Sequence, residues 1–158
     1  MPHTEDKISR YETASEQIRS LIEGENDETA VLANVSAALH EAFPERFFWT
    51  GFYRVRGNEL LLGPFQGTVA CSRIPYGRGV CGTAWAEGRT LVVPDVEAFA
   101  GHIACSSLSR SEIVVPIHDG KGDIRGVLDI DSRQLAAFDD TDRHYLEHIA
   151  DIIHQIYT

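Results

Sequence analysis

The chain has 158 residues, 43% of them hydrophobic and 24% charged, with a formal net charge of -10; that suits one ordinary domain, residues 1–158, with a continuous core. No run approaches the roughly eighteen apolar residues of a membrane span, and Met1-Pro2-His3-Thr4-Glu5-Asp6 lacks the basic and apolar segments of a secretory signal, so a cytoplasmic setting with reduced thiols is expected. The acidity repels phosphate backbones and anionic lipid heads, so neither nucleic acid nor a membrane is an expected partner, which leaves a small molecule or another protein.

Tyr11, Ala14, Ile18, Leu21 and Ile22 fall on one helical stripe that ends at Glu23-Gly24-Glu25-Asn26-Asp27. A second helix follows, with Val31, Leu32, Val35, Ala38, Leu39, Ala42 and Phe43 recurring every three to four residues until Pro44, and Asn26 or Asp27 placed to cap it. Period two then takes over: Phe47 to Val55 and Glu59 to Phe65 read as strands joined by a turn at Arg56-Gly57-Asn58. The segment from Gly67 to Gly88 is rich in glycine, with a short apolar patch at Ala84-Trp85. Leu91-Val92-Val93, Ile113 to His118 and Ile124 to Asp131 read as further strands, the last two joined by Asp119-Gly120-Lys121-Gly122. Asp139 or Asp140 caps a final helix whose stripe is Leu146, Ile149, Ile152, Ile153 and Ile156. This order predicts an α+β domain: an antiparallel sheet, helices from both ends of the chain on one face, and the Gly-rich middle over the other, enclosing a ligand cavity.

Strand parity indicates what faces that cavity. With Leu128 and Ile130 in the core, Asp129 and Asp131 share the opposite face. At i and i+2 their charges lie about 7 Å apart, and the repulsion of roughly 2 kcal/mol at an effective dielectric near 20 is enough to raise one of the two pKa values by something over a unit, so that the pair can keep a proton for donation. Glu112 is opposite in sense to Ile113 and Val115, and Trp49, Gly51 and Tyr53 share a face, the glycine leaving a gap between two aromatic walls. Carboxylates with aromatic walls suit a compact cationic or zwitterionic ligand. Taken singly, each has a plainer reading: the wet side of an edge strand for Asp129 and Asp131, solvated surface for Glu112, and ordinary packing for Trp49 and Tyr53.

All three cysteines, Cys71, Cys81 and Cys105, lie in the Gly-rich region and the loop after it. Their separations lack the short Cys-x-x-Cys pairs of a zinc site, so no metal is expected. Cys81 fits an inert buried thiol best, whereas Cys71 and Cys105 sit among Gly, Ser, Arg and His in loops suited to disulfide exchange.

Six segments, in order, resemble those of the free methionine-R-sulfoxide reductases, a family with the GAF fold: Gly63-Pro64-Phe65-Gln66-Gly67, Gly77-Arg78-Gly79-Val80-Cys81-Gly82-Thr83-Ala84, Leu91-Val92-Val93-Pro94-Asp95-Val96, Gly101-His102-Ile103-Ala104-Cys105, Ser111-Glu112-Ile113-Val114-Val115-Pro116 and Leu128-Asp129-Ile130-Asp131-Ser132. The resemblance runs from about Phe47 to Phe138 and implies a GAF-like domain that reduces free methionine-R-sulfoxide through a cysteine sulfenic acid and an intramolecular disulfide, recycled by thioredoxin, without metal or organic cofactor. It implies Cys105 as nucleophile, Cys71 as the main resolving cysteine, and Cys81 as an auxiliary thiol that also has the chemistry to resolve. Glu112, Asp129 and Asp131 would bind the substrate's ammonium and sulfoxide, Trp49 and Tyr53 its methyl end, and by analogy the chain would form a homodimer. Ser106 and Ala100 stand where similar proteins often carry an acidic residue and a proline. GAF domains otherwise serve mostly as ligand-binding sensors, and a small-ligand or redox sensor without turnover is the alternative function.

Overall fold

The computed structural model describes residues 4–103 and 105–158. Helices α1 (Thr4–Ile22) and α2 (Glu28–Ala42) precede strands β1 (Trp49–Arg56), β2 (Glu59–Gln66) and β3 (Arg73–Pro75). A short α3 (Gly79–Glu87) and β4 (Leu91–Val93) follow, then the hairpin β5 (Ser111–His118) and β6 (Ile124–Ser132), and finally α4 (Asp140–His154). The six strands form one antiparallel sheet in the order β3-β2-β1-β6-β5-β4. Each face of the sheet carries its own apolar core. On one, α1, α2 and α4 pack through Tyr11, Ile18, Leu32, Val35, Leu39, Leu146, Ile149 and Ile153 against Phe52, Ile113, Val115, Leu128 and Ile130. On the other, Trp49, Tyr53, Leu60, Val114 and Val127 pack against Val80, Cys81 and Ala84 of α3.

The end helices form where their stripes place them. Asp27 caps α2 by accepting from the Ala30 amide at 2.9 Å, and Asp139 caps α4 in a reciprocal capping box with Asp142. Leu21, expected in the α1 stripe, is instead 41% exposed, because it lies on the flank of the face centred on Tyr11, Ile18 and Ile22. β3 and α3 occupy the glycine-rich stretch that carries no clear periodicity. Gly82 gives α3 its close seat, since a Cβ there would lie 2.6 Å from the Pro75 carbonyl oxygen. Gly88 ends the helix in the left-handed region at φ 67°, its N–H reaching the Ala84 carbonyl.

A buried polar hub fastens the first helix to the last. Asp142 is fully buried, and it accepts from Lys7 Nζ at 2.7 Å, Tyr11 Oη at 2.6 Å and the Asp139 amide at 2.8 Å. Burial and the Asp142 carboxylate push the Tyr11 hydroxyl far above its ordinary pKa, so it stays a donor. Removing the lysine strands a carboxylate in the core, which is the expensive way to break a buried pair. Lys7→Ala is therefore expected to cost about 3 kcal/mol and lower Tm by roughly 10 °C. Arg89→Ala, which breaks an exposed pair with Glu87, is expected to cost under ~1 kcal/mol; thermal and denaturant unfolding of both variants checks the contrast.

Candidate functional site

The face of the sheet under α3 carries the acidic residues. Strand pairing sets Trp49 of β1 opposite Asp131 of β6, and Asp131 opposite Glu112 of β5, which in turn faces Val93 of β4. In the next row Gly51 pairs with Asp129 and Asp129 with Val114. Directly opposed residues of an antiparallel sheet lie on the same face with Cβ atoms about 5 Å apart. Three carboxyl groups from two adjacent strands are thus gathered at one spot. α3 closes over them with Cys81, whose Sγ lies 4.0 Å from Glu112 Oε2.

The aromatic residues do more than flank a gap. The rings of Trp49 and Tyr53 stack at 6.0 Å, and Phe65 stacks on Trp49 at 5.1 Å. Gly51 makes this possible: a Cβ there would fall 2.9 Å from the Trp49 ring and closer still to Phe65. The space expected between two walls is therefore filled by the indole itself. Both polar tips reach the loop after β2, with Trp49 Nε1 donating to the Thr68 carbonyl and Tyr53 Oη to the Cys71 carbonyl, each at 2.9 Å. They pin the segment that carries Cys71.

Cys71 is joined to Cys105 by a disulfide whose Cα atoms lie 5.5 Å apart, ordinary spacing for such a bridge. It brings the loop before Ser111 over the mouth of a small cavity of about 50 Å³. Trp49, Tyr53, Cys81, Cys105, Glu112, Asp129 and Asp131 all line this space; Cys71 is bonded to Cys105 but is not part of the lining. The lining also includes Ile74, Val80, His102, Ile103, Ser106 and Ser109, none of which the sequence marked individually as site residues. Val80, His102 and Ile103 lie within the quoted segments and Ser106 directly after one, whereas Ile74 and Ser109 are ordinary residue types that carried no signal.

Burial dominates the electrostatics. Glu112 and Asp129 are 6% and 5% exposed. Desolvation, then the charges of Asp129 and Asp131, raise the Glu112 pKa well above the ordinary carboxyl range. Asp131 is raised in the same way by burial and by Asp129. Asp129 rises less, because hydrogen bonds from Glu112 and Cys81 and the nearby His102 offset part of its desolvation. The cluster thus keeps protons that exposed carboxylates would lose. The same surroundings raise the Cys81 thiol, first by burial and then by Asp129 and Glu112, so this cysteine stays protonated and unreactive.

A GAF domain model matches residues 25–156. The free methionine-R-sulfoxide reductase of Escherichia coli (strain K12) is 45% identical over 144 residues, covering 91% of this chain and 86% of the relative. GAF domain-containing protein A of Dictyostelium discoideum is 57% identical over 148 residues, covering 93% and 92%. The X-ray structure of the free methionine-R-sulfoxide reductase from Neisseria meningitidis in complex with its substrate superposes with a TM-score of 0.89 at 54% identity, covering 93% of this chain and 87% of that one.

The chain belongs to the free methionine-R-sulfoxide reductases, a family with the GAF fold. Among the described residues no helix is long and apolar enough to cross a membrane.

The raised carboxyl pKa values carry a stability signature. In the unfolded chain Glu112 ionises near its ordinary value of 4.5, whereas in the fold it holds its proton to much higher pH. The folded state then binds more protons than the unfolded state above about pH 4.5, so the stability associated with this group is full below that pH and drains away as pH rises towards the folded pKa. Glu112→Gln, which keeps the shape and cannot ionise, is expected to flatten this decline. Thermal melts between pH 4.5 and 8 are expected to show the variant gaining on the parent as pH rises, by ~1 kcal/mol or roughly 3 °C at neutral pH.

Proposed function

We propose that the chain reduces free methionine-R-sulfoxide to methionine, with Cys105 as the attacking thiol, Cys71 as the resolving thiol, and a dithiol protein such as thioredoxin as reductant. The observation that carries the reading is the Cys71–Cys105 disulfide at the mouth of a cavity floored by proton-holding carboxyl groups. Sulfoxide oxygen is a poor leaving group until it is protonated, and a carboxyl kept neutral by burial is suited to supply the proton. Glu112 and Asp131 are held well above the ordinary carboxyl range, and Asp129 is raised with part of its shift offset by its neighbours. Asp129 then receives the substrate's ammonium, while Glu112 and Asp131 face the sulfoxide.

The reaction balances without a cofactor. The Cys105 thiol takes the oxygen of the sulfoxide, methionine leaves, and Cys105 becomes a sulfenic acid. The Cys71 thiol condenses with it, forming the disulfide and releasing water. An incoming dithiol reduces that disulfide and is itself oxidised to a disulfide. The Trp49 ring, backed by Phe65, is placed to enclose the methyl end. Gly79, Val80 and Cys81 line the cavity, and as the first residues of α3 their amides have no acceptor within the helix, which suits them to the substrate carboxylate. A pocket that grips ammonium and carboxylate together excludes methionine within a polypeptide, and its chirality selects one sulfoxide epimer.

Burial of Cys81 beneath α3 supports Cys71 as the resolving partner. In a coupled assay with free methionine-R-sulfoxide and a thioredoxin regenerating system, Cys105→Ser is expected to lose turnover entirely. Cys71→Ser is expected to release about one methionine per chain and then stop. Cycling by Cys71→Ser at the parental rate would move the resolving role to Cys81, and turnover by Cys105→Ser would overturn the proposal.

A further inference from the structure

Along the chain Cys81 and Glu112 are 31 residues apart, so no metal-binding pattern is visible in the sequence. The fold nevertheless brings together a thiol from α3 and carboxyls from β5 and β6. The sulfur of Cys81 and one oxygen each from Glu112 and Asp129 all lie within 4.8 Å of one another, and all three side chains are buried. A second observation points to a ligand. Asp129 Oδ1 is buried without any hydrogen-bond partner among the described residues, although it belongs to a side chain that lines the cavity. A carboxylate oxygen in that position forfeits its hydration with no donor in return, which favours a cation as its occupant.

The donor set narrows the kind of cation. Calcium and magnesium want six or more oxygen ligands, and a thiolate does not suit them. One sulfur and two carboxylate oxygens match a zinc-class ion, which binds sulfur at about 2.3 Å and oxygen at about 2.1 Å in a tetrahedron. Such an ion needs its ligand atoms roughly 3.5 Å apart, so the widest separation in the cluster must shorten by about 1 Å on binding, with the fourth position left to water or to another cavity group.

We propose that Cys81, Glu112 and Asp129 form a site for a thiophilic divalent cation of the zinc class, and that this ion competes with the substrate for the acidic floor of the cavity. Occupancy stands on the geometry of the three side chains; competition rests on the function proposed above. An ion held there displaces the protons of Cys81 and Glu112 to solvent as it binds, and it covers the carboxyls intended for ammonium and sulfoxide.

The disulfide form of the protein gives a clean test. With Cys71 and Cys105 bonded to each other, Cys81 is the remaining thiol, so any sulfur-to-cadmium charge-transfer absorption must come from it. Titration of the oxidised, reductant-free protein with Cd2+ is expected to give that absorption with one ion per chain, and Zn2+ is expected to displace it. By equilibrium dialysis with Cd2+, Cys81→Ser and Asp129→Asn are expected to bind at least tenfold more weakly, with the far-ultraviolet circular dichroism of both unchanged. Excess free methionine sulfoxide is expected to weaken Cd2+ binding as a competitor. No absorption in the oxidised protein, its appearance only after the disulfide is reduced, or equal binding by folded Cys81→Ser would overturn the site. Binding that is indifferent to methionine sulfoxide would overturn the competition. Metal-free turnover of the parent enzyme reads the proposed activity separately, so its failure is distinguishable from failure of the ion site.

Discussion

Three carboxyl groups gathered on neighbouring strands, with Glu112 and Asp129 buried and Asp131 half-buried beside them, are the constraint around which the rest of the cavity is organised. β6 supplies Asp129 and Asp131, β5 supplies Glu112, and the pairing of Glu112 with Asp131 fixes them in one patch. Left under α3 with full charge they would repel one another in a poorly solvated space, so the fold keeps them partly protonated. Acids held neutral by their surroundings, beside two thiols that can exchange a disulfide, make a site for reductive chemistry that needs a proton. The opposite face, with its helices and the Lys7–Asp142 hub, supplies the rigidity that holds the patch in register.

The helices were legible because their stripes are long and their caps local. The sequence offers Asn26 or Asp27 and Asp139 or Asp140 as caps, and the fold uses Asp27 and Asp139. β3 and α3 were not legible. Each is short, and α3 packs on β3 through a glycine whose purpose is close approach, Gly82 against the Pro75 carbonyl. That reason lives in tertiary packing, which leaves no periodic trace.

Parity placed Asp129, Asp131 and Glu112 on the correct face but could not say that they meet. The β5–β6 register explains why. Near the turn His118 pairs with Ile124, and a simple continuation of that count would set Glu112 opposite Ile130, a core residue of the other face. An irregularity between Ile117 and His118 shifts the register by one, so that Glu112 meets Asp131 and Ile113 meets Ile130. The same limit applies to Cys81. Its spacing from the other cysteines argued against a metal, yet its neighbours in space are carboxyls from distant strands. For Trp49 and Tyr53 the sequence suggested ligand walls; what the fold shows of them, anchoring the Cys71 loop through two hydrogen bonds to backbone carbonyls, follows from side-chain reach that no pattern encodes.

The central claim is that this patch holds a proton at neutral pH. Infrared spectroscopy of the disulfide form at pH 7 reads it directly, through the C=O stretch of a protonated carboxylic acid. The account predicts such a band in the parent protein and its loss or marked weakening in Glu112→Gln. A spectrum with only ionised carboxylates at pH 7, or a band untouched by that substitution, would contradict it.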